Sequence, residues 1–289
     1  MTNLITIAWQ SFVGVCGLAL VLTYLHHASR TAADWLARTP GLDVVVALLT
    51  WMPWVLGASS QGWAGVGAVL IGQCGALLAW TTIHELSNPN ARRGPRIVKS
   101  LNRIVGAPRN HAALWVSLGA VPLFWSIRFG EILLYPLIRR LLGFPALTQR
   151  EWISVSRHKF NGLIGHDLVW CLYCDWMTGV YALGAEMLRN VESFWCPIRF
   201  YDDKKCNNCA MDFPDATHHW VASDGTMQQV SEFINVNYSG SNRSWLGHES
   251  RGARPTYEKP VTKAIVPEAS ACEITRLIES EKDGMSLHN

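Results

Sequence analysis

The first 83 residues of the chain are almost free of charge. They hold four formally charged side chains, Arg30, Asp34, Arg38 and Asp43, while the rest of the 289-residue chain holds the other 43. Because of this first part, charged residues make up only 16% of the whole chain, whereas soluble globular domains contain roughly 25%. A stretch of this length without charge would expose a large apolar surface to water, which excludes both an ordinary soluble fold and disorder.

Three apolar runs in this part predict transmembrane helices within residues 1–84. The runs 4–25 and 62–83 each contain 22 uncharged residues, and such helices cross about 30 Å of hydrocarbon. The run 44–58 is shorter and contains Pro53, so it can cross if neighbouring helices cover its ends. The run 62–83 also contains small residues of the kind that membrane helices use for close contact, namely Gly65, Gly67, Gly72 and Gly75.

Basic residues follow the last of these runs. Between residues 84 and 109 the sequence has several arginines and a lysine but a single acidic residue, Glu85. Such an excess of positive charge is typical of the cytoplasmic side of a membrane protein. With three crossings, the N-terminus is then expected outside and the C-terminal domain in the cytoplasm, as for a protein of a bacterial-type inner membrane.

Residues 85–144 are predicted to form a basic loop and helices at the membrane surface. The apolar run 112–127 is interrupted by Pro122 and leads into Arg128 and Glu131, which do not suit a clean crossing. We expect a helical segment, 112–142, that lies in the inner leaflet or dips into it, and the alternative is a full hairpin. The side chains expected to contact lipid headgroups are basic: Arg92, Arg93, Arg96, Lys99, Arg103, Arg139 and Arg140.

Five of the eight cysteines lie between residues 171 and 209, inside a predicted cytosolic domain of residues 145–246. Four of them form two CxxC pairs separated by 31 residues, and this spacing lets both thiolates of a pair bind one ion. Disulfides do not persist in a reducing cytosol, which also favours a metal site. The predicted ligands are Cys171, Cys174, Cys206 and Cys209, with Cys196, His218 and His219 as further candidates.

Four thiolates suit Zn²⁺, a rubredoxin-type iron or an iron–sulfur cluster, and we favour zinc because a structural zinc site requires nothing further from the sequence. The alternative for Cys171 and Cys174 is that they are ordinary buried thiols on a core helix, which we predict over residues 166–187. Residues 226–238 predict another helix over this domain. The tail, 247–289, is predicted to be largely disordered.

The sequence contains no motif that identifies a catalytic activity. It has no GxSxG, HExxH, CxxCH or Walker A pattern, and a net charge of +3 is too small to indicate nucleic acid, so neither nucleic acid nor nucleotide is an expected partner. We therefore expect a mainly α-helical polytopic membrane protein that serves as an accessory or assembly subunit of a larger membrane complex. Its cytosolic domain, stabilised by the bound metal, would make the contacts with other proteins of the complex.

Three alternatives to an accessory subunit remain open. The first is a membrane-anchored electron-transfer protein in which the cysteines hold iron. The second is a membrane di-iron oxidoreductase, although His26, His27 and His84 lack the spacing of its histidine motifs. A transporter is the third, and it is disfavoured because the predicted spans contain no ionisable residue.

Overall fold

The computed structural model describes residues 3–202, 204, 205, 207 and 220–238. These residues form helices and no strand, apart from isolated bridges between Arg38 and Ser154 and between Ile198 and Val221. The predicted, mainly helical class is confirmed. Predictions that concern the tail, 247–289, lie outside the described residues.

Twelve α-helices are distinguished among the described residues. The first six are α1 (Leu4–Ala28), α2 (Arg30–Leu36), α3 (Gly41–Leu49), α4 (Trp51–Leu86), α5 (Pro89–Arg93) and α6 (Ile97–Val105). The other six are α7 (Ala107–Ser117), α8 (Val121–Phe129), α9 (Tyr135–Leu142), α10 (Gln149–Trp152), α11 (Gly165–Trp195) and α12 (Met227–Tyr238). Two 3₁₀ turns, Leu118–Ala120 and Arg157–Lys159, and a π turn, Gly130–Leu134, complete the helical structure.

Three helical stretches are long and apolar enough to cross a membrane, which supports an integral membrane protein in contact with the lipid bilayer. They are Leu4–Ala28, Gly41–Leu86 and Ala107–Leu142. The first corresponds to the predicted span 4–25, and the second contains both other predicted spans. The third contains the segment that was expected to lie at the membrane surface.

The second stretch folds back on itself at Gln61 and Gly62. Gly62 has a φ of 59°, in the left-handed region that glycine adopts without steric cost. Next to this turn, Gly57 and Gly65 meet so closely that a Cβ on Gly65 would overlap the carbonyl oxygen of Gly57. The arms 41–60 and 63–86 therefore form an antiparallel hairpin, in agreement with two separate apolar runs in the sequence.

Gln73 ties the two arms together within the apolar interior. Its side-chain nitrogen donates to the carbonyl oxygens of Leu49 and Thr50 at 3.0 and 3.2 Å, and its side-chain oxygen accepts from Trp54 Nε1 at 2.7 Å. Thr50 leaves the helical conformation between α3 and α4, with φ −121° and ψ −99°. The amide of Gln73 thus satisfies backbone groups that lipid could not hydrate.

Helix α1 packs along the second arm of the hairpin. A Cβ on Gly72 would overlap the carbonyl oxygen of Ala8, and a Cβ on Gly75 would lie 3.4 Å from the ring of Phe12. From Gly72 to Gly75 on the second arm, the contact moves forward along α1 from Ala8 to Phe12. The two helices are therefore parallel and end at the same end of the bundle. The predicted use of glycines for close contact is confirmed here, whereas Gly67 has no described neighbour within 4 Å.

The stretch 107–142, which contains the segment expected at the membrane surface, is continuous and apolar enough to cross a membrane. Pro122 occupies the first turn of α8, where its missing N–H breaks no hydrogen bond. The 3₁₀ turn before α8 and the π turn after it connect α7, α8 and α9 into one helical stretch. Arg128 and Glu131, the charges that argued against a crossing, are only 1% and 2% exposed. They are paired inside the protein, and the sequence alone could not show this.

Helix α6 has the character of an interfacial helix instead. Its apolar residues Ile97, Leu101 and Ile104 recur at helical spacing and are exposed, while Lys99 and Arg103 are exposed on the same short helix. Exposed apolar and basic side chains on one amphipathic helix are typical of a segment that lies at a bilayer surface.

Helix α11 is the central helix of the remaining chain and is longer than the predicted 166–187. Its buried residues Trp176, Val180 and Leu183 belong to a core that also includes Trp125 of α8 and Tyr135 of α9. The predicted helix over residues 226–238 is confirmed as α12. It packs against the last turns of α11, where the rings of Phe194 and Tyr238 are stacked with their centroids 5.7 Å apart.

Candidate functional site

The first CxxC pair lies in the first three turns of α11. Cys174 is exposed and Cys171 is partly buried. Burial raises the pKa of the Cys171 thiol, an effect that the Arg157 guanidinium opposes. Cys196 follows the last residue of the same helix, about 37 Å from Cys171 at 1.5 Å per residue. Cys196 therefore cannot bind the same ion as Cys171.

The other predicted ligands, Cys206, Cys209, His218 and His219, lie outside the described residues. Within the part of the chain that the structure describes, no three His, Cys, Asp or Glu side chains are placed to hold a metal ion. The metal site, with zinc or iron, stays a prediction from the sequence.

Arg96 does not contact lipid headgroups, contrary to the prediction. Its side chain is 3% exposed, and it donates from Nε to Asp167 Oδ2 at 2.7 Å and from Nη2 to Glu85 Oε1 at 2.8 Å. The other six residues predicted for this role are exposed: Arg92, Arg93, Lys99, Arg103, Arg139 and Arg140. Nothing in the sequence around residue 96 distinguishes the buried arginine from its exposed neighbours.

The side chains around Arg96 also cap two helices. The Asp167 carboxylate accepts hydrogen bonds from the backbone N–H groups of Ile97 and Val98, which begin α6. His84 Nδ1 accepts from the backbone N–H of Gly165, at the start of α11, at 3.1 Å. Burial of the Asp167 carboxyl opposes ionisation, but the nearby His166 ring, with Nδ1 3.8 Å from Oδ1, and the hydrogen bond from Arg96 outweigh burial and lower the pKa of Asp167. We call Arg96, Glu85, Asp167 and His84 the polar junction.

A second buried ion cluster lies within the candidate spans. Arg128 donates to both carboxylate oxygens of Asp43, at 3.0 and 2.7 Å, to Glu131 Oε2 at 2.7 Å and to Gln149 Oε1 at 2.7 Å. These charges lie outside the predicted spans 4–25, 44–58 and 62–83, but inside the longer stretches Gly41–Leu86 and Ala107–Leu142 of the structure. The signal in the sequence was the pair Arg128 and Glu131, three residues apart within an otherwise apolar run.

An apolar cavity of about 900 Å³ lies between the helices. Parts of α1, α3, α4, α11 and the junction of α7 with α8 line it. Its walls are mostly aliphatic and aromatic, and its central polar side chains, Thr50, Trp54 and Gln73, already hydrogen-bond to one another or to the backbone. Ligand cavities in proteins commonly measure about 300 to 1,000 Å³ and are mostly apolar, as here.

Two imidazoles lie at one end of this cavity. His26, in the last turn of α1, and His158, in the 3₁₀ turn before α11, have ring centroids 6.1 Å apart and nearly perpendicular planes. Burial, the charge of Lys159 and the proximity of His26 lower the pKa of His158. The cavity therefore combines a long apolar space with a pair of hydrogen-bonding groups at the end where α1 finishes. The sequence indicated His26 only as part of the di-iron alternative, and it did not indicate His158.

Comparison of the chain with protein-family models, with curated proteins and with solved structures finds no match.

Proposed function

We propose that the protein binds one long-chain amphiphile within its membrane-embedded helices. The hydrocarbon chain occupies the apolar cavity, and the polar headgroup lies at His26 and His158. The observation that carries this proposal is the cavity of about 900 Å³, apolar along its length and polar at one end.

The dimensions of the cavity suit a single lipid chain. Its lining on α1 runs from Val15 to His26, about 17 Å along the helix axis. This length is close to half the hydrocarbon thickness of a bilayer, roughly 15 Å. Because the lining includes parts of all three candidate spans, a surrounding bilayer would supply amphiphiles directly.

The polar end favours a headgroup with hydroxyl or carbonyl groups. A neutral imidazole has one N–H donor and one acceptor nitrogen, and the lowered pKa keeps His158 in this form at neutral pH. The neutral His158 ring, with the His26 imidazole beside it at a steep angle, can donate to a carbonyl oxygen or exchange hydrogen bonds with a hydroxyl. A phosphate would favour a cationic site instead.

The amphiphile is tested by identifying what remains bound to the protein. The full chain is purified in a mild detergent, washed extensively, and extracted for mass spectrometry. We expect about one molecule per chain of a single lipid class, reduced several-fold in a His26→Ala, His158→Ala double variant that remains folded. Phospholipids in the proportions of the membrane, unchanged in the variant, would contradict the proposal.

We also propose an accessory role in a larger membrane complex, and two exposed aromatic side chains support it. Trp195, at the end of α11, is 59% exposed, and Tyr201 is 85% exposed, both outside the candidate spans. Exposed aromatic side chains are characteristic of contact surfaces. Co-purification from native membranes, compared between the native protein and a Trp195→Ser, Tyr201→Ser variant, tests this role: a partner that is lost in the variant supports it, and equal recovery contradicts it.

A further inference from the structure

Glu131 has a buried carboxyl group with one oxygen that lacks a partner. Its side chain is 2% exposed, and Oε2 accepts from Arg128 Nη1 at 2.7 Å. Oε1 is buried and has no hydrogen-bond partner among the described residues. It faces Gly184 of α11, where an added Cβ would lie 3.3 Å away. A carboxylate oxygen buried in this way without a partner is energetically costly.

The charges around Glu131 do not balance if every group is ionised. Asp43 from α3 and Glu131 share a single cation, Arg128 of α8. The remaining contact of Arg128, Gln149 of α10, is neutral. On α11, Gly184 faces the carboxyl. The charged residues near this level of α11, Glu186 and Arg189, are paired with each other at 3.2 Å. The cluster would then carry a net charge of −1 in an apolar interior.

One bound proton neutralises the cluster, and the geometry indicates which carboxyl holds it. Both oxygens of Asp43 accept from Arg128, and the Asp43 side chain is 13% exposed. Glu131 is more deeply buried and has a free oxygen that a proton can occupy. Of the two carboxyl groups, Asp43 is thus the one expected to be ionised, and Glu131 is the one expected to hold the proton.

We propose that Glu131 is a proton-binding site of the membrane domain. At neutral pH its carboxyl carries a proton on Oε1, and release of this proton leaves a carboxylate beside Arg128. Ionisable residues inside candidate spans commonly belong to ion or proton pathways, and π turns are frequent at functional positions. Asp43 is the least buried of the three charged residues in the cluster. Neither residue lines the apolar cavity, so this site is independent of amphiphile binding.

Infrared spectroscopy of the full chain in detergent at pH 7 tests this proposal. A protonated carboxyl has a carbonyl stretching band that a carboxylate lacks, and we expect the native protein to lose the intensity of about one acid per chain in Glu131→Gln. The glutamine keeps an oxygen for Arg128 and places an NH₂ where the proton lay. A spectrum unchanged in this region would show that Glu131 is ionised and would overturn the proposal.

A second variant tests the same proposal through the charge balance. Asp43→Asn removes the ionised partner of Arg128, so Glu131 should release its proton to neutralise the guanidinium. We expect the same band to disappear, although no protonated acid has been removed. If the band persists in Asp43→Asn, the proposal is overturned. The infrared spectrum of Asp43→Asn therefore tests the protonation of Glu131 even if Glu131→Gln fails to fold.

Discussion

Arg96 and Asp167 form a buried ion pair, with Nε 2.7 Å from Oδ2, between positions 71 residues apart in the chain. Through Glu85, the same guanidinium also holds the end of α4. The polar junction thereby joins the last turn of the helical hairpin 41–86 to the first turns of α6 and α11. It fixes the end of the bundle at which the histidines of the cavity lie.

We expect Arg96→Ala to destabilise the protein by about 3–5 kcal/mol, because it leaves the buried Asp167 carboxylate without its cation. Thermal unfolding in detergent measures the change. Arg93→Ala is the matched control, since Arg93 is exposed on the preceding short helix and its loss should change stability by less than about 0.5 kcal/mol. Equal effects of the two substitutions would show that the junction is not a stabilising element.

The lowered pKa of Asp167 predicts a loss of stability in acid. The carboxylate contributes fully above the pKa of an unfolded aspartate, about 3.9, and its contribution disappears as the pH falls through the lower pKa of the folded state. We expect Asp167→Asn to be less stable than the native protein at pH 7, and the difference to shrink below about pH 4. Unfolding temperatures at a series of pH values measure this. A difference that does not depend on pH would contradict the assignment.

Replacement of Gly72 by leucine should separate α1 from the second arm of the hairpin. A Cβ at this position would overlap the backbone of Ala8, which cannot move without displacing the helix. Overpacking of this kind costs roughly 1–3 kcal/mol, and a backbone obstacle favours the upper end. Gly67→Leu, with no described neighbour within 4 Å, should be tolerated. Equal unfolding temperatures for the two variants would exclude the close contact.

The proposed orientation predicts how the cysteines react in intact cells. Cys174 and Cys196 are exposed, whereas burial raises the pKa of Cys171, so a maleimide should label the first two faster in the purified protein. If the end of the bundle that holds the basic residues is cytoplasmic, a maleimide that cannot cross membranes should not label these cysteines in intact cells. Rapid labelling from outside would reverse the orientation.

The metal prediction needs its own measurement, since part of its ligand set lies outside the described residues. Metal analysis of chelator-free protein should find about one zinc or iron per chain, reduced in Cys171→Ser and in Cys174→Ser but not in Cys16→Ser. Cys16 is the control because it lies on α1, within a candidate span. Protein that folds normally without metal would exclude the site.

The α1 helix and the second arm of the hairpin could be predicted from the sequence, because an uncharged run of 22 residues satisfies its backbone in lipid only as a helix. The shorter run 44–58 predicted the first arm. The stretch 107–142 could not be predicted. Its charges argue against a crossing until Arg128 is seen to pair with Asp43, 85 residues earlier. A contact between residues so far apart leaves no local pattern. The same holds for Arg96, whose partner Asp167 lies on another helix.

The candidate site was less accessible to sequence reasoning than the fold. The cavity arises where several separate segments meet, and its apolar residues resemble any other apolar residues of a membrane helix. His158 lies in a polar connection and becomes meaningful only beside His26. CxxC pairs can be recognised in a sequence because their spacing is local. A cavity cannot be recognised in this way, because the residues that line it are distant along the chain.

Filling the cavity tests the proposed function most directly. Gly119 lines the cavity, and no described atom lies within 4 Å of the position that a Cβ would take there, so the ring in Gly119→Phe has room to enter the space of the ligand. Gly17→Phe is the control, because Gly17 is an exposed helical glycine with equally open surroundings that does not line the cavity. Mass spectrometry of washed, folded protein should find the amphiphile retained in Gly17→Phe and reduced several-fold in Gly119→Phe. Equal retention in both variants, or no bound amphiphile in the native protein, would contradict the account.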